Sequence, residues 1–390
     1  MKPLAKKSLL TIAVMAGISM GASSTASASG ITEAIKGGEV SADFRLRMET
    51  VEQDTLNKDA SSLTLRSRLG YSTAEYKGFS GFMEFENVTA LDDDYDVSGG
   101  GANSVVADPE GSEINQMYLK YGFGETSVIA GRQRVILDNA RFVGNVGWRQ
   151  NEQTFDALTI SSKALEETVL TYGYVDKINT IRAGEVDIAA HLFNASYTGL
   201  PGKLTGYAYL IENKDAVTSS TSTVGVRYAG VVNDELKFNL EFAQQSGYKD
   251  GHDDIDGNYY LAELIGDVSN VNVKLGYEVL GADDYSGFET PIATKHGYNG
   301  WADIFLNTPT NGLADLYLSV STKLAGTKLM AVYHDYSADK GSNDHGSEIN
   351  LLAVKKYGKN YTALLKYASY SADATGTDTD KLWVMGQMKF

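Results

Sequence analysis

The chain has 390 residues, a formal net charge of −16 and no cysteine. Disulfides, Fe–S clusters and thiolate metal sites are therefore excluded, and the acid excess argues against a nucleic-acid surface, which rests on Lys and Arg contacts to phosphate. The 24 Tyr, 40 Gly and only 5 Pro suit long paired strands with tight turns and aromatic girdles, because Pro would remove a ladder donor.

The N-terminus comes first. Lys2, Lys6 and Lys7 precede an apolar run from Leu9 to Met20, followed by Ala26-Ser-Ala28. This pattern predicts a secretory signal peptide over residues 1–28. The remainder, residues 29–390, reads as a single domain, and loss of three lysines takes its net charge from −16 to −19. No later stretch approaches the ~20 apolar residues of a spanning helix. At most a turn or two of helix is expected within Ile31–Lys36.

Period-2 alternation then begins. Val40, Ala42, Phe44, Leu46 and Met48 oppose Ser41, Asp43, Arg45, Arg47 and Glu49. Leu63, Leu65, Leu69 and Tyr71 oppose Thr64, Arg66, Arg68 and Ser72. The same pattern recurs over Leu236–Phe242 and Val271–Val279. One greasy face at this period makes a strand. The faces of His191–Tyr197, Tyr259–Leu264 and Lys328–Tyr336 stay ambiguous.

The links alternate in length. Short ones sit at 77–78, 122–124, 199–202, 232–234, 268–270, 325–326 and 357–360. Long polar ones cover 90–113, 135–153, 176–187, 246–257, 280–311, 337–347 and 371–380. The chain ends on Lys381–Phe390, where Leu382, Val384, Met388 and the terminal Phe390 share a face. An exported chain closing on such a strand predicts an all-β, transmembrane antiparallel barrel of about eighteen strands, with sixteen as the runner-up. Short turns would face the periplasm and long loops the outside, in the outer membrane of a Gram-negative bacterium. Lipid and lipopolysaccharide would surround it, and the barrel-assembly machinery would read the strand ending in Phe390. A soluble sandwich or propeller would need helices, a second sheet or a fixed repeat to cover the apolar faces, and the sequence offers none.

Charge is segregated. Eight of the ten Arg lie between Arg45 and Arg149. Arg45, Arg47, Arg66 and Arg68 share the polar face of adjacent strands and should form one luminal patch. Such a strip would favour anions, because low-dielectric walls focus its field and guanidinium grips carboxylates in a fork. Alternatively, Asp43, Glu49, Glu84, Glu86 and Glu241 neutralise it.

Two links are unusual. Residues 131–156 carry Arg132, Arg134, Arg141 and Arg149 among Asn and Gln. This link either folds into the barrel, anchored by Phe142 and Trp148 with its polar groups toward solute, or caps the rim. Residues 288–315 carry Thr290-Pro, Ala293-Thr, His296, Asn299-Gly-Trp-Ala-Asp303, Phe305-Leu, Thr308-Pro and Gly312-Leu. With Gly131-Arg-Gln, Asn139-Ala-Arg-Phe-Val-Gly144, Trp148-Arg-Gln-Asn151 and Thr154-Phe-Asp156, they resemble the alginate-export family of outer-membrane porins. The resemblance implies an eighteen-stranded monomeric barrel with an arginine-rich constriction that passes anionic saccharide chains. It adds Arg132, Arg134, Arg141, Asn145, Arg149 and Asn151 to the pore residues Arg45, Arg47, Arg66 and Arg68. A short 176–187 link and acidic outer loops argue against alginate itself as the solute.

Other chemistry is sparse. His252, Asp254, Asp256, Gly257 and Glu263 fall at positions 1, 3, 5, 6 and 12 of a calcium loop, but position 1 should be Asp and no helices flank it. The five His are scattered, and neither a zinc-protease nor a nucleophile-elbow motif occurs. The expectation is a channel, not an enzyme, with no cofactor or metal, taking an anionic or sugar-like solute. A general diffusion porin and a plugged barrel that binds ligands at the surface are the alternatives.

Overall fold

The computed structural model describes residues 25–54, 58–283 and 285–390. Most of the expected signal peptide thus lies outside the described residues. A helix, α1 (Thr25–Lys36), precedes eighteen strands: β1 (Glu39–Gln53), β2 (Ala60–Ser72), β3 (Phe79–Asp94), β4 (Gly111–Phe123), β5 (Thr126–Gln133), β6 (Thr154–Leu165), β7 (Thr168–Asn179), β8 (Glu185–Leu200), β9 (Gly202–Asn213), β10 (Thr221–Val231), β11 (Leu236–Gly247), β12 (Asp256–Val268), β13 (Val271–Leu280), β14 (Leu313–Leu324), β15 (Thr327–Ser337), β16 (Asp344–Tyr357), β17 (Tyr361–Ser371) and β18 (Thr379–Lys389). Each strand pairs antiparallel with its sequence neighbours, and β1 also pairs β18, from Asp43↔Lys389 to Gln53↔Thr379. The sheet is a closed barrel, so no edge strand is left to seek a partner.

The links sort by end. Turns after even-numbered strands are short, two residues at Gly124–Glu125 and Ala325–Gly326. Links after odd-numbered strands include the 20 residues between β5 and β6 and the 32 between β13 and β14. The β6–β7 turn at Glu166–Glu167 and the outer links 54–59 and 214–220 are not legible in the sequence, because they lack the Gly or the long polar runs that mark the others. Phe390 lies at the short-turn end, where its ring meets Tyr361 and its carbonyl accepts from the Ala42 amide.

Alternation explains the outer surface. Leu46, Leu69, Met83, Leu240, Leu275, Leu318, Leu351 and Val384 are exposed on the sheet's outer face, as a lipid-facing belt requires. The luminal face is not uniformly wet. Ala190, Leu192, Tyr207, Tyr209, Tyr259, Tyr336 and Trp383 point inward and are buried. This settles the three ambiguous strands. Leu192, Tyr259 and Tyr336 face the lumen, while Phe193, Tyr260 and Tyr333 face out. Both faces are apolar there, which blurs the alternation, because the luminal residues pack against protein rather than water.

Candidate channel constriction

Most of the protein filling the lumen comes from two long links, with Asp108 of the β3–β4 link buried beside them. Link 134–153 turns inward as it leaves β5. Arg134 pairs with Glu84 of β3 at 2.9 Å and with Glu152 of its own link. Four residues on, Asp138 has crossed to the far wall, where it holds Lys203 at 2.7 Å and Arg227 at 3.0 Å. Lys203 is the second residue of β9, so the link reaches the inner end of the barrel. Arg141 then binds Glu278 of β13 at 2.7 Å and Asn299 at 3.0 Å. Phe142 packs on Tyr207 and Tyr259, with ring centroids 5.3 and 5.2 Å apart. The link returns to the first wall at Gly147–Arg149, whose three carbonyls accept from Arg45 at 3.0–3.3 Å.

The second link, 281–312, seals the first. Val143 bridges Ile292, and the Gly144 amide donates to the Ile292 carbonyl at 2.9 Å. Asp138, Ala140 and Val146 in one link, and Asn299 and Asp303 in the other, hold positive φ of 48–65°. Each such residue costs roughly 1–2 kcal/mol, and Val146 is β-branched, the least tolerant type. The hydrogen bond from the Val146 amide to Thr294 Oγ1, at 3.1 Å, crosses between the links at that point.

The two links meet the wall at a latch built from all three tryptophans. Lys366 Nζ, from β17, lies 4.1, 4.0 and 5.2 Å from the ring centres of Trp148, Trp301 and Trp383. It donates to His296 Nε2 at 2.6 Å, Trp148 stacks on the His296 ring at 4.8 Å, and His296 Nδ1 contacts Asp303 Oδ1 at 2.7 Å. Burial pushes the His296 imidazole down to about 3, so it stays neutral at ordinary pH. Burial also raises the Asp303 carboxyl, but His296, Lys381 and Arg149 more than offset this and hold it well below the usual range.

The arginines are buried and mostly matched. Arg47 pairs with Asp108 and lies 3.8 Å from Glu49. Arg68 pairs with Glu86 and, at 3.1 Å, with Glu152. Arg149 pairs with Glu49 at 3.0 Å and Asp303 at 2.8 Å, and those charges raise its guanidinium against the pull of burial. Glu152 accepts from Asn115 and Asn145 at 2.6 Å each; Arg68 and Arg134 overcome its burial and hold it down at about 2. Two arginines differ. Among the described residues Arg66 has a single ion pair, to Asp43 at 2.8 Å, and its Nε and second Nη find no acceptor. Arg45 faces Arg66 directly across the β1–β2 ladder and, among the described residues, bonds only to carbonyls.

A family model described as alginate export matches residues 38–282. The chain belongs to the alginate-export family. No curated protein sequence matches it. Among solved structures, Pseudomonas aeruginosa OpdQ superposes with a TM-score of 0.70 at 14% identity, over 91% of this chain and 99% of that one. P. aeruginosa OpdK, solved with vanillate, gives 0.69 at 14%, covering 90% and 98%. Acinetobacter baumannii OccAB2 gives 0.68 at 16%, covering 92% and 99%. At these identities the likeness carries the fold, and the fold is that of outer-membrane porins. With the family match, it makes this a porin-type channel of the Gram-negative outer membrane.

The expected site residues of this alginate-export-family barrel divide as follows. Arg45, Arg47, Arg66, Arg68, Arg134, Arg141, Arg149 and Asn145 converge around link 134–153. Asn151 is buried at the outer side, donating to the Thr180 carbonyl at 3.3 Å. Arg132 lies elsewhere. It shares a face with Met117 and Asp156, alternate to buried Gln133, Phe155 and Ala157, so it points out of the barrel and pairs with Asp156 at 2.9 Å. Arg134 sits beyond the strand end, where the alternation no longer fixes its direction. Of the link's Arg, Asn and Gln, Arg141, Gln150 and Asn151 are buried against walls and the other link, whereas Arg149 and Gln153, also largely buried, border the cavity left between the links. The calcium-loop reading fails. Glu263 points into the lumen toward Lys274, Tyr317 and Asn239, away from the loop residues, and no metal-competent cluster occurs among the described residues. Asp108, Glu152, Asp303, Lys366 and Lys381 belong to the site without having been expected there. No local pattern marks them: Glu152 lies among Arg149, Gln150, Asn151 and Gln153, and Lys381 follows Asp378 and Asp380, so only the fold brings them together.

Proposed function

We propose that this porin passes small anionic or saccharide-like solutes, and that Arg45 and Arg66 set its charge preference. The observation that carries this is the pair itself: two guanidiniums in direct cross-strand register, deep in the lumen, with N–H groups left over. The other four arginines on or against this wall, Arg47, Arg68, Arg134 and Arg149, pair with carboxylates, so the uncompensated positive potential concentrates where Arg45 and Arg66 meet. Both guanidiniums are buried, so the pair acts on a passing anion through its field, which low-dielectric walls focus, rather than by direct contact. The mechanism needs no cofactor and no energy source. One chain closes the lumen, so a monomer suffices, and the strand ending in Phe390 is the segment the assembly machinery would read.

Reversal potentials in planar bilayers test this. Wild type should prefer chloride over potassium, and Arg45→Gln with Arg66→Gln should bring the permeability ratio close to one. A cation-selective wild type overturns the reading.

A second reading, a plugged barrel closed at rest, is favoured by the filled lumen and the Lys366 latch. Deleting 135–153 should then turn a nearly silent protein into a large open pore, a bigger change in conductance than any single substitution would give. An equal conductance before and after deletion sinks that reading.

A further inference from the structure

A second set of cations sits at the short-turn end of the lumen, on a different stretch of wall from the arginines. Lys323 of β14, Lys328 of β15 and Lys356 of β16 are exposed there. Alternation turns all three inward. Lys328 shares a face with buried Val332 and His334, Lys356 with buried Glu348 and Asn350, and Lys323 with buried Asp315. Together they line an open pocket of about 560 Å³. Lys323 stands directly opposite Lys328 in the β14–β15 ladder, and Lys328 faces Val354, two residues from Lys356.

Directly opposed side chains start about 4.5–5.5 Å apart and diagonal ones about 7–8 Å, so three long ammonium arms can meet on one small group. Like charges directly opposed destabilise a ladder, and among the described residues none of the three lies at ion-pair distance from a carboxylate. The pocket holds one carboxylate, Asp267, which accepts from Asn272 Nδ2 at 2.8 Å. Three ammoniums and one carboxylate leave two positive charges unmatched. Val354 is the sole aliphatic side chain on the lining among the described residues; the remainder are Asn, Ser, Thr and Gly. The arginine wall differs, because its guanidiniums are buried and mostly held by the fold's own acids. Lysine offers a compact point charge on a flexible stem, and several can close around the oxygens of one phosphate. A phosphate monoester carries close to two negative charges at pH 7, which matches the deficit, whereas a carboxylate carries one. The volume lies within the ~300–1,000 Å³ of small-ligand sites.

We propose that this inner vestibule is a binding site for a dianionic phosphate monoester, taken up from the periplasmic side that the short turns face. Lys323 and Lys328 grip the phosphate between them, which relieves their mutual repulsion, and Lys356 closes the third side. The site is separate from Arg45 and Arg66 and does not rest on the charge preference assigned to them.

The test is calorimetric titration of the full chain in non-ionic detergent micelles with methyl phosphate and dimethyl phosphate. At pH 7 methyl phosphate should bind at least tenfold tighter than dimethyl phosphate, which carries one charge, as the phosphate diester of a membrane lipid does. Its affinity should fall about tenfold at pH 5, where the probe regains its second proton, while that of dimethyl phosphate does not. Lys323→Gln with Lys328→Gln should weaken methyl phosphate about tenfold or more, and Lys356→Gln alone about threefold. Lys237→Gln, at the same end of β11 but outside the pocket, should leave the affinity within about twofold. Dimethyl phosphate binding as tightly as methyl phosphate would overturn the proposal, since any anion or a lipid headgroup would then suffice. Equal weakening by Lys237→Gln would mean a diffuse field around the rim and overturn it too, as would methyl phosphate affinity unchanged in the double variant. Anion selectivity in bilayers with no methyl phosphate binding would sink this inference alone; methyl phosphate binding by a cation-selective channel would sink only the constriction reading.

Discussion

The two walls of the lumen hold the same plug by different chemistry. The wall of β1–β3 presents guanidiniums. It grips link 134–153 through backbone carbonyls, as Arg45 does at Gly147–Arg149, and through buried acids such as Glu152 and Asp108. The wall of β9–β17 presents tyrosines and carboxylates. There Tyr207 donates to Glu241 at 2.8 Å and Tyr259 to Glu278 at 2.6 Å, while Phe142, Phe288 and Phe305 pack on the rings. The basic wall depends on charge matching, which is lost entirely when one partner goes. The aromatic wall depends on buried area, which is lost by degrees. The difference predicts that single charge changes act strongly on the first wall and weakly on the second.

The strongest of these changes is Glu152→Ala. Glu152 is buried between Arg68 and Arg134 and accepts from two asparagines. Removing one partner of such a pair costs about 3–5 kcal/mol, because the other charges stay buried without it. The outer end of link 134–153 should detach. External protease should then cut within the link, and anion preference should rise as Arg68 and Arg134 each lose one of two carboxylates, keeping Glu86 and Glu84. Protease resistance equal to wild type would show that the aromatic wall alone holds the plug.

Acid should loosen the latch next. His296 is held down to about 3 from an ordinary 6.5, mainly by burial. The docked plug therefore binds fewer protons than the released one between those values. Docking is fully stabilised above about pH 6.5 and weakens progressively as pH falls toward 3. The carboxylates Asp303 and Glu152 are held low when docked, so their contributions also fade on acidification, beginning near their ordinary values around 4. Open probability and tryptophan emission should shift steadily as pH falls below 6.5. His296→Gln should remove the change between 6.5 and about 5 while leaving the carboxylate limb. Wild-type and His296→Gln profiles that coincide between pH 6.5 and 5 would place the latch elsewhere.

The same contrast explains what the sequence reveals. The barrel is legible because lipid imposes strict alternation: Leu46 or Leu318 must face out whatever lies within. The in-folded links are legible as unusual, through Arg141, Phe142, Trp148 and the Trp301–Phe305 run, but their destinations are not. Arg132 shows why. Whether an arginine at a strand's end points in or out depends on a register that the sequence leaves open. Lys366 and Asp303 are ordinary residues in ordinary contexts until the second link brings three tryptophans and His296 around them. Spacing marks a strand's faces, but it carries no information about which loop will fill the space those faces enclose.

The smallest expected effect comes from the acidic wall and tests the comparison directly. Glu241 is buried, accepts from Tyr207 and lies 3.6 Å from Arg227, which also holds Asp138. In Glu241→Gln the hydroxyl keeps an acceptor and Arg227 keeps Asp138, so packing and docking survive. What changes is one negative charge on the wall away from Arg45 and Arg66. Physiological salt screens charges beyond about 8 Å, so the anion permeability ratio should rise by less than about twofold. Arg45→Gln alone should move the ratio further, and in the opposite direction. If Glu241→Gln instead proved the larger of the two, permeating ions would be passing along the tyrosine and carboxylate wall. The buried arginines would then be mortar for the plug and not the charge filter.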